Sequence, residues 1–239
     1  VIRLKEMLSS HFVPSTKGMI INMKKIVLIG AGGQCKVIID ILKSLNEYEI
    51  VGITDEKFQG NVFNIPIIGS DDILEKLYRD GVRYAFICIG ALNNISIRNK
   101  IYDKLKYIGF ELPTLIHKTA VVSSFSHIEE STCVMAGVVI NPGVYIGKNC
   151  IINTGAVIEH DCIIRNNTHI SPKVALAGGV KVGYNTHVGI GGSIIQNINI
   201  GNSVTIGAGS VVINDINDNA LAVGVPARVI KINELTNEK

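Results

Sequence analysis

The sequence has no tryptophan, and aromatic residues make up only 5% of its 239 positions. Charge is also sparse: 18% of residues are Asp, Glu, Lys or Arg, and the formal net charge is +3. No dense Lys/Arg block interleaved with aromatics occurs, so the electrostatic footprint of a nucleic-acid-binding protein is missing, while small acidic ligands remain compatible. CxxC spacing is absent, because Cys35, Cys88, Cys133, Cys150 and Cys162 are scattered. Together with the lack of a secretory apolar region, this points to reduced thiols in the cytoplasm, most of them buried as small hydrophobes. Long apolar runs are missing too: Gly, Asn or a charge interrupts them every few positions, so none approaches the roughly 20 residues that insert into a membrane. What the chain has is aliphatic residues. A hydrophobic content of 47% is ample for ordinary globular cores.

Residues 1–22 do not share the patterns that follow and read as an extension or a segment added for expression, with Met23 or Met19 as a natural start. Residues 23–112 alternate short aliphatic runs with amphipathic segments. Ile26 to Ile29 reads as a buried strand, Gly30-Ala31-Gly32-Gly33 as a turn, Gln34 to Leu45 as a helix and Ile50 to Thr54 as a second strand, which makes a βαβ unit. Ser70 is placed to cap a helix with Asp71 and Asp72 in its first turn, ending before Gly81. Tyr84 to Ile89 is a further central strand and Ile97 to Ile108 a further helix. The expected unit is a small Rossmann-like α/β domain with a parallel sheet.

After Pro113 the period changes. Every sixth residue from Val122 to Val212 is aliphatic, sixteen in a row without an insertion. Gly follows one place later at Gly147, Gly183, Gly189, Gly201 and Gly207. A six-residue period is neither helical nor simple strand alternation. It describes a triangular prism in which each hexad supplies one short strand and one corner, and three hexads close a coil. A sandwich of short strands has turns of variable length and could not hold this register for ninety residues. Residues 113–225 are therefore read as a parallel β-helix of about five coils, and residues 226–239 as a C-terminal tail.

In such a helix, residues 18 apart lie above one another at about 4.8 Å. His160 then stacks beneath Gly178, and His169 beneath His187. Around the first of these the chain reads Ile158-Glu159-His160-Asp161-Cys162. A carboxylate beside an imidazole fixes its tautomer and stabilises the imidazolium formed when it takes a proton, as a general base requires. Taken alone, the pattern fits an exposed histidine at a solenoid corner better than a catalytic base. The ending Ala222-Val223-Gly224-Val225-Pro226-Ala227-Arg228 supplies context.

That ending, with Ile29-Gly30-Ala31-Gly32-Gly33, the His160 segment and Ala177-Gly178-Gly179-Val180, resembles the bacterial sugar O-acyl/N-acetyltransferase family with hexapeptide repeats. This family includes sialic acid O-acetyltransferases, UDP-4-amino-sugar N-acetyltransferases of the bacillosamine pathway and perosamine N-acetyltransferases. The resemblance covers the chain from Met23 onward and implies a left-handed prism. It further implies direct, metal-free acetyl transfer from acetyl-CoA to the 4-amino group of a nucleotide-linked 4-amino-dideoxy sugar, with sialic acid O-acetylation as the alternative. His160 would be the base and Asp161 its partner. His169, the Gly178 N–H, Arg228 and Lys231 would meet acetyl-CoA, with Gly178 holding the oxyanion. Gly30, Ala31, Gly32, Gly33, Gln34, Asp55, Glu56, Gly90 and Asn153 would bind the nucleotide sugar, the loop N–H groups at its phosphates and Asp55 or Glu56 at the ribose or base. Many relatives have His and a small residue where this chain has Gln34 and Cys35, which bears on sugar recognition. The family assembles as trimers with active sites between subunits.

Other readings fit less well. The glycine turn lacks the third glycine of a dinucleotide fingerprint. A zinc site of carbonic anhydrase type needs three converging imidazoles, and the 9- and 18-residue spacings of His160, His169 and His187 differ from that pattern. A nucleotide-sugar-binding protein without catalysis would bind its ligand and turn over no acetyl-CoA.

Overall fold

The computed structural model describes residues 23–91 and 95–232; the expected extension 1–22 lies outside the described residues, as does the end of the tail, 233–239. The first domain runs β1 (Lys24–Ile29), α1 (Gly33–Leu45), β2 (Tyr48–Thr54), β3 (Asn61–Val62), β4 (Ile65–Gly69), α2 (Leu74–Arg79), β5 (Tyr84–Ile87) and α3 (Ile95–Ile108). Its sheet has the order β3-β4-β2-β1-β5, parallel except for the β3–β4 hairpin. On one side of the sheet, Val27, Ile29, Ala85 and Ile87 pack against Leu74 of α2 and Leu105 of α3. On the other, Ile26, Leu28 and Phe86 pack against Cys35, Ile38, Ile39 and Leu42 of α1. The i, i+3, i+4, i+7 spacing on α1 is the apolar stripe of a helix lying on a sheet.

One local expectation is corrected, and one element was not expected. Ser70 precedes a short 3-10 turn, Asp71–Ile73, and makes no side-chain cap. Its hydroxyl is bonded to Asp72 Oδ2 at 3.0 Å and so is engaged by a side chain instead of the N–H groups of the turn, while Asp71 accepts from the Thr54 hydroxyl of β2 at 2.6 Å. The β3–β4 hairpin was not foreseen either. Its two-residue turn has positive φ at both Phe63 (46°) and Asn64 (66°), a conformation usually signalled by Asn-Gly rather than by an aromatic.

The second domain is a three-faced prism of two-residue parallel strands, running from Leu115–Ile116 to Val211–Val212. It begins one hexad before Val122. The first face carries the strands at Leu115, Cys133, Ile151, His169, His187 and Thr205 and is extended by the hairpin Ala220–Gly224/Ala227–Ile232. The second carries those at Val121, Val139, Val157, Ala175, Ser193 and Val211, and the third those at His127, Tyr145, Ile163, Lys181 and Asn199. The aliphatic of each hexad points inward: Val134, Ile140, Ile146, Ile152, Ile158, Ile164 and Ile170 are at most 1% exposed. Each such burial contributes about 1.5–3 kcal/mol, and the strict six-residue period repeats it coil after coil.

The corners explain the recurring glycines. At Gly183 an added Cβ would lie 2.5 Å from backbone atoms of Gly201 in the next coil, so the residue is fixed by close approach and not by an unusual φ. The left-handed conformation falls two places later, at Asn149, Asn167 and Asn185, where Asn is the best tolerated after Gly.

The domains share one core. Leu115, Cys133, Met135 and Ile151, on the outer side of the first face and its edge, pack into the α1 side of the sheet. Helix α3 meets the corner between the third and first faces: Tyr102 and Lys106 bond to Glu130, as does Lys148, and Asn99 bonds to Asn185. Burial alone would raise the Glu130 carboxyl, but these hydrogen bonds from Lys106, Tyr102 and Lys148 outweigh it and hold it at about 2.

Candidate active site

His160 stands at the corner between the second and third faces, 64% exposed at its side chain. Its Nδ1 is 2.8 Å from Asp161 Oδ2. An ionised carboxylate can only accept, so Nδ1 carries the proton and Nε2 is left as the basic nitrogen. Asp161 has φ +60° and lies against Gly143 one coil below, where an added Cβ would be 2.5 Å from Oδ1. One coil above, Gly178 lies against the ring: its Cβ would be 2.6 Å from both Cε1 and Nε2. The equivalent N–H groups of Lys148, Tyr184 and Asn202 are closed by Asn166, Asn202 and Asp218 side chains. That of Gly178, like those of His160, Asn166, Ile190, Gln196 and Ala208 at the same position of other hexads, has no acceptor among the described residues. A basic nitrogen and an open backbone donor thus share one corner, the pairing that acyl transfer needs for deprotonation and for the oxyanion.

Asn153 and His169 form a second group, on the first face and its edge. Asn153 Oδ1 accepts from the Thr154 N–H at 2.8 Å, which turns Nδ2 toward His169 Nε2 at 3.2 Å. His169 therefore carries its proton on Nδ1, which is buried and unpartnered. Burial, then the neighbouring His187, then Arg98 push its pKa down to about 3. His187 stacks on it at 5.1 Å between centroids, bonds to Ser171 Oγ at 2.8 Å through Nε2, and is likewise lowered by burial. Both rings are neutral near pH 7 and serve as hydrogen-bonding groups.

The residues expected to meet the nucleotide collect at the carboxyl edge of the sheet, the usual ligand edge of a parallel α/β domain. Gly30 has φ +99° and packs on Ile89, 2.7 Å from where its Cβ would be, whereas a Cβ at Gly32, Gly33 or Gly90 would meet nothing within 4 Å. That open space lies over the uncapped first turn of α1, which contains no acidic residue. Asp55 is engaged differently from a free ribose acceptor. Its Oδ2 accepts from the Ala31 N–H at 2.7 Å and its Oδ1 from Lys57 and Phe58 N–H groups. Burial would raise its pKa, but these bonds outweigh it and keep the carboxyl below its usual range. The Ala31 N–H is thereby occupied, while those of Gly32, Gly33 and Gln34 have no acceptor among the described residues. Glu56 is exposed. Gln34 turns toward the prism, with Nε2 3.7 Å from Cys133 Sγ.

Arg228 and Lys231 are exposed on the closing hairpin of the first face. Within one chain, the structure unites His160, Asp161 and Gly178, and separately Asn153 with His169. It leaves the first group on the prism edge opposite the face that carries the α/β domain. A cleft of about 420 Å³ lies between that domain and the first face, lined by Ala91, Ser96, Asn99, Asn185 and His187 among others. A larger groove of about 560 Å³ on the third face, beside Arg165, Lys181 and Tyr184, includes none of the expected site residues. Gly143 and the Ser171–His187 pair escaped the sequence reading, although the 18-residue rule that links His160 to Gly178 also links Asp161 to Gly143. No group of three His, Cys, Asp or Glu side chains placed to hold a metal occurs among the described residues.

Residues 25–105 match the PglD N-terminal domain family and residues 125–160 the bacterial transferase hexapeptide family of six repeats. The structure is similar to perosamine N-acetyltransferase from Caulobacter crescentus, solved with CoA and GDP-perosamine, at TM-score 0.83 and 40% identity over 86% of this chain and 96% of that one. The chain belongs to the bacterial sugar O-acyl/N-acetyltransferase family with hexapeptide repeats. Within this family it is also similar to the acetyltransferase domain of PglB from Neisseria gonorrhoeae, at TM-score 0.83 and 34% identity over 87% of this chain and all (100%) of that one. UDP-N-acetylbacillosamine N-acetyltransferase from Bacillus subtilis is 36% identical over 118 residues, 48% of this chain and 52% of that protein. The match thus spans about half the length of the curated relative.

Proposed function

We propose that the protein transfers the acetyl group of acetyl-CoA directly to the 4-amino group of a nucleotide-linked 4-amino-dideoxy sugar. The observation that carries this reading is the His160 corner, where Asp161 leaves Nε2 basic and Gly178 presents an open N–H beside it. Nε2 takes the proton from the attacking amine, and the Gly178 N–H stabilises the tetrahedral oxyanion. Collapse of that intermediate forms the amide and breaks the thioester, CoA leaving as the thiol with the proton returned from Nε2. Relatives bound to CoA with GDP-perosamine, or to acetyl coenzyme A, support both co-substrates.

The α/β domain sits against the first face, while His160 occupies the opposite edge, so a site using both needs a second copy of the chain. The outer row of the second face, Val121, Val139, Val157, Ala175, Ser193 and Val211, is apolar apart from the serine, and Val121 is 65% exposed. Such a row suits contact with another prism, and a homotrimer with shared sites is the reading it supports. Arg228 and Lys231 would then meet CoA phosphates. We place the enzyme in the cytoplasm: its five cysteines are buried and unpaired, and among the described residues no helix is long and apolar enough to cross a membrane.

The test is thiol release from acetyl-CoA with UDP-, dTDP- and GDP-linked 4-amino-dideoxy sugars and with free and CMP-linked sialic acid, alongside His160→Ala. One amino sugar should stand out, and the variant should lose roughly 10²-fold or more in rate. Turnover with sialic acid alone would move the protein to O-acetylation, and silence across the panel would refute the reading.

A further inference from the structure

Arg98 is 3% exposed, unusual for a guanidinium. It donates to the backbone carbonyl of Ile89 and, across the domain boundary, to the carbonyl (3.3 Å) and side-chain oxygen (2.6 Å) of Asn149. Asn149 is itself braced by Asn167 at 3.0 Å. Among the described residues Arg98 forms no ion pair. The titratable groups facing it are Cys88 on the sheet side and Cys133, Cys150 and His169 on the prism. Burial raises the three thiols, Cys133 to about 11 and Cys150 to about 12, and lowers His169, so all four are neutral near pH 7. A buried positive charge without a counter-ion is expensive, and carbonyl dipoles only partly compensate it.

The contact with Ile89 connects this charge to the ligand edge. Ile89 is the residue on which Gly30 packs, and it immediately precedes Gly90. We propose that Arg98 is a positioning residue for the diphosphate of the nucleotide sugar. It holds the Ile89–Gly90 segment that follows β5, and through it the Gly30 loop, in fixed relation to the prism, and its unpaired charge favours an anion at that edge. The inference rests on the nucleotide-sugar reading above and assigns Arg98 no contact with the ligand.

The experiment is calorimetric titration of the full chain with UDP, GDP and dTDP, with the corresponding nucleosides, and with CoA. It compares wild type with Arg98→Met, which removes charge and clamp; Arg98→Lys, which keeps charge without the planar fork; and Asn149→Ala, which cuts the prism end of the clamp. For whichever nucleotide binds, Arg98→Met should weaken the diphosphate tenfold or more and change CoA by less than twofold. The preference for diphosphate over nucleoside should shrink, and Arg98→Lys and Asn149→Ala should each lose threefold or more. A merely structural role would weaken CoA and nucleotide together, and that result overturns the proposal, as does diphosphate affinity within twofold of wild type. If Arg98→Met does not fold, Arg98→Lys and Asn149→Ala decide on the same readouts. A wild-type chain that binds none of the three diphosphates overturns the substrate reading itself, whereas normal wild-type binding with indifferent variants overturns only the role of Arg98.

Discussion

Gly178 lies so close to the His160 imidazole, one coil away, that a Cβ on it would stand 2.6 Å from Nε2. The ring is at the exposed end of a flexible side chain, so the clash of Gly178→Ala is relieved by moving the histidine and not the backbone. The variant should melt within a few degrees of wild type yet lose roughly 10²-fold in kcat, because base and oxyanion donor no longer share a corner. Full activity in a folded Gly178→Ala would show that this proximity is unrelated to catalysis.

Asp161→Asn preserves a residue that tolerates the +60° φ of this position but removes the charge that holds the Nδ1 proton. We expect about a tenfold fall in kcat with KM for acetyl-CoA little changed, measured by thiol release. A changed KM with an unchanged kcat would assign Asp161 to binding.

His169 links stability to pH. Its folded pKa of about 3 lies below the ordinary 6.5, so between these values the unfolded chain binds more protons than the folded one. Stability therefore falls as pH drops below about 6.5, by at most about 1.4 kcal/mol per pH unit for this group, and His187 adds in the same direction. Urea midpoints between pH 7.5 and 4.5 should show this slope, and His169→Asn should flatten it. An identical slope in the variant would place the proton uptake elsewhere.

Glu130 joins α3 to the prism through Tyr102, Lys106 and Lys148. Glu130→Gln should cost roughly 0.5–1 kcal/mol in chemical denaturation at low salt, and less at 1 M salt, where exposed pairs are screened. A loss independent of salt would mean that packing, not charge, holds this junction.

At Gly183 no side chain can move aside, because the next coil presents backbone at 2.5 Å. Gly183→Ala should destabilise by about 1–3 kcal/mol, in contrast to Gly178→Ala. Comparing their melting temperatures checks that contrast directly.

The prism was legible because its inward residues repeat without a break from Val122 to Val212, and the same period carried His160 to Gly178. Strand β4 was obscured by Pro66 and by the Phe63-Asn64 turn, which lacks the usual glycine. Arg98 was hidden because an arginine on an amphipathic helix reads as solvated; only the docking of α3 against Asn149 buries it. Asp55 follows the second strand as the sequence reading has it, but its engagement by the Ala31 N–H depends on a tertiary contact 24 residues apart. Such pairings follow from packing, which periodicity does not encode.

The uniform coil makes the second domain a ruler. Each 18-residue turn adds about 4.8 Å along the prism axis. Duplicating one turn above Val188 would leave the His160 corner untouched while carrying the hairpin with Arg228 and Lys231 one graduation farther away. Chain length in this domain is thus converted linearly into the reach between its reacting corner and its far end.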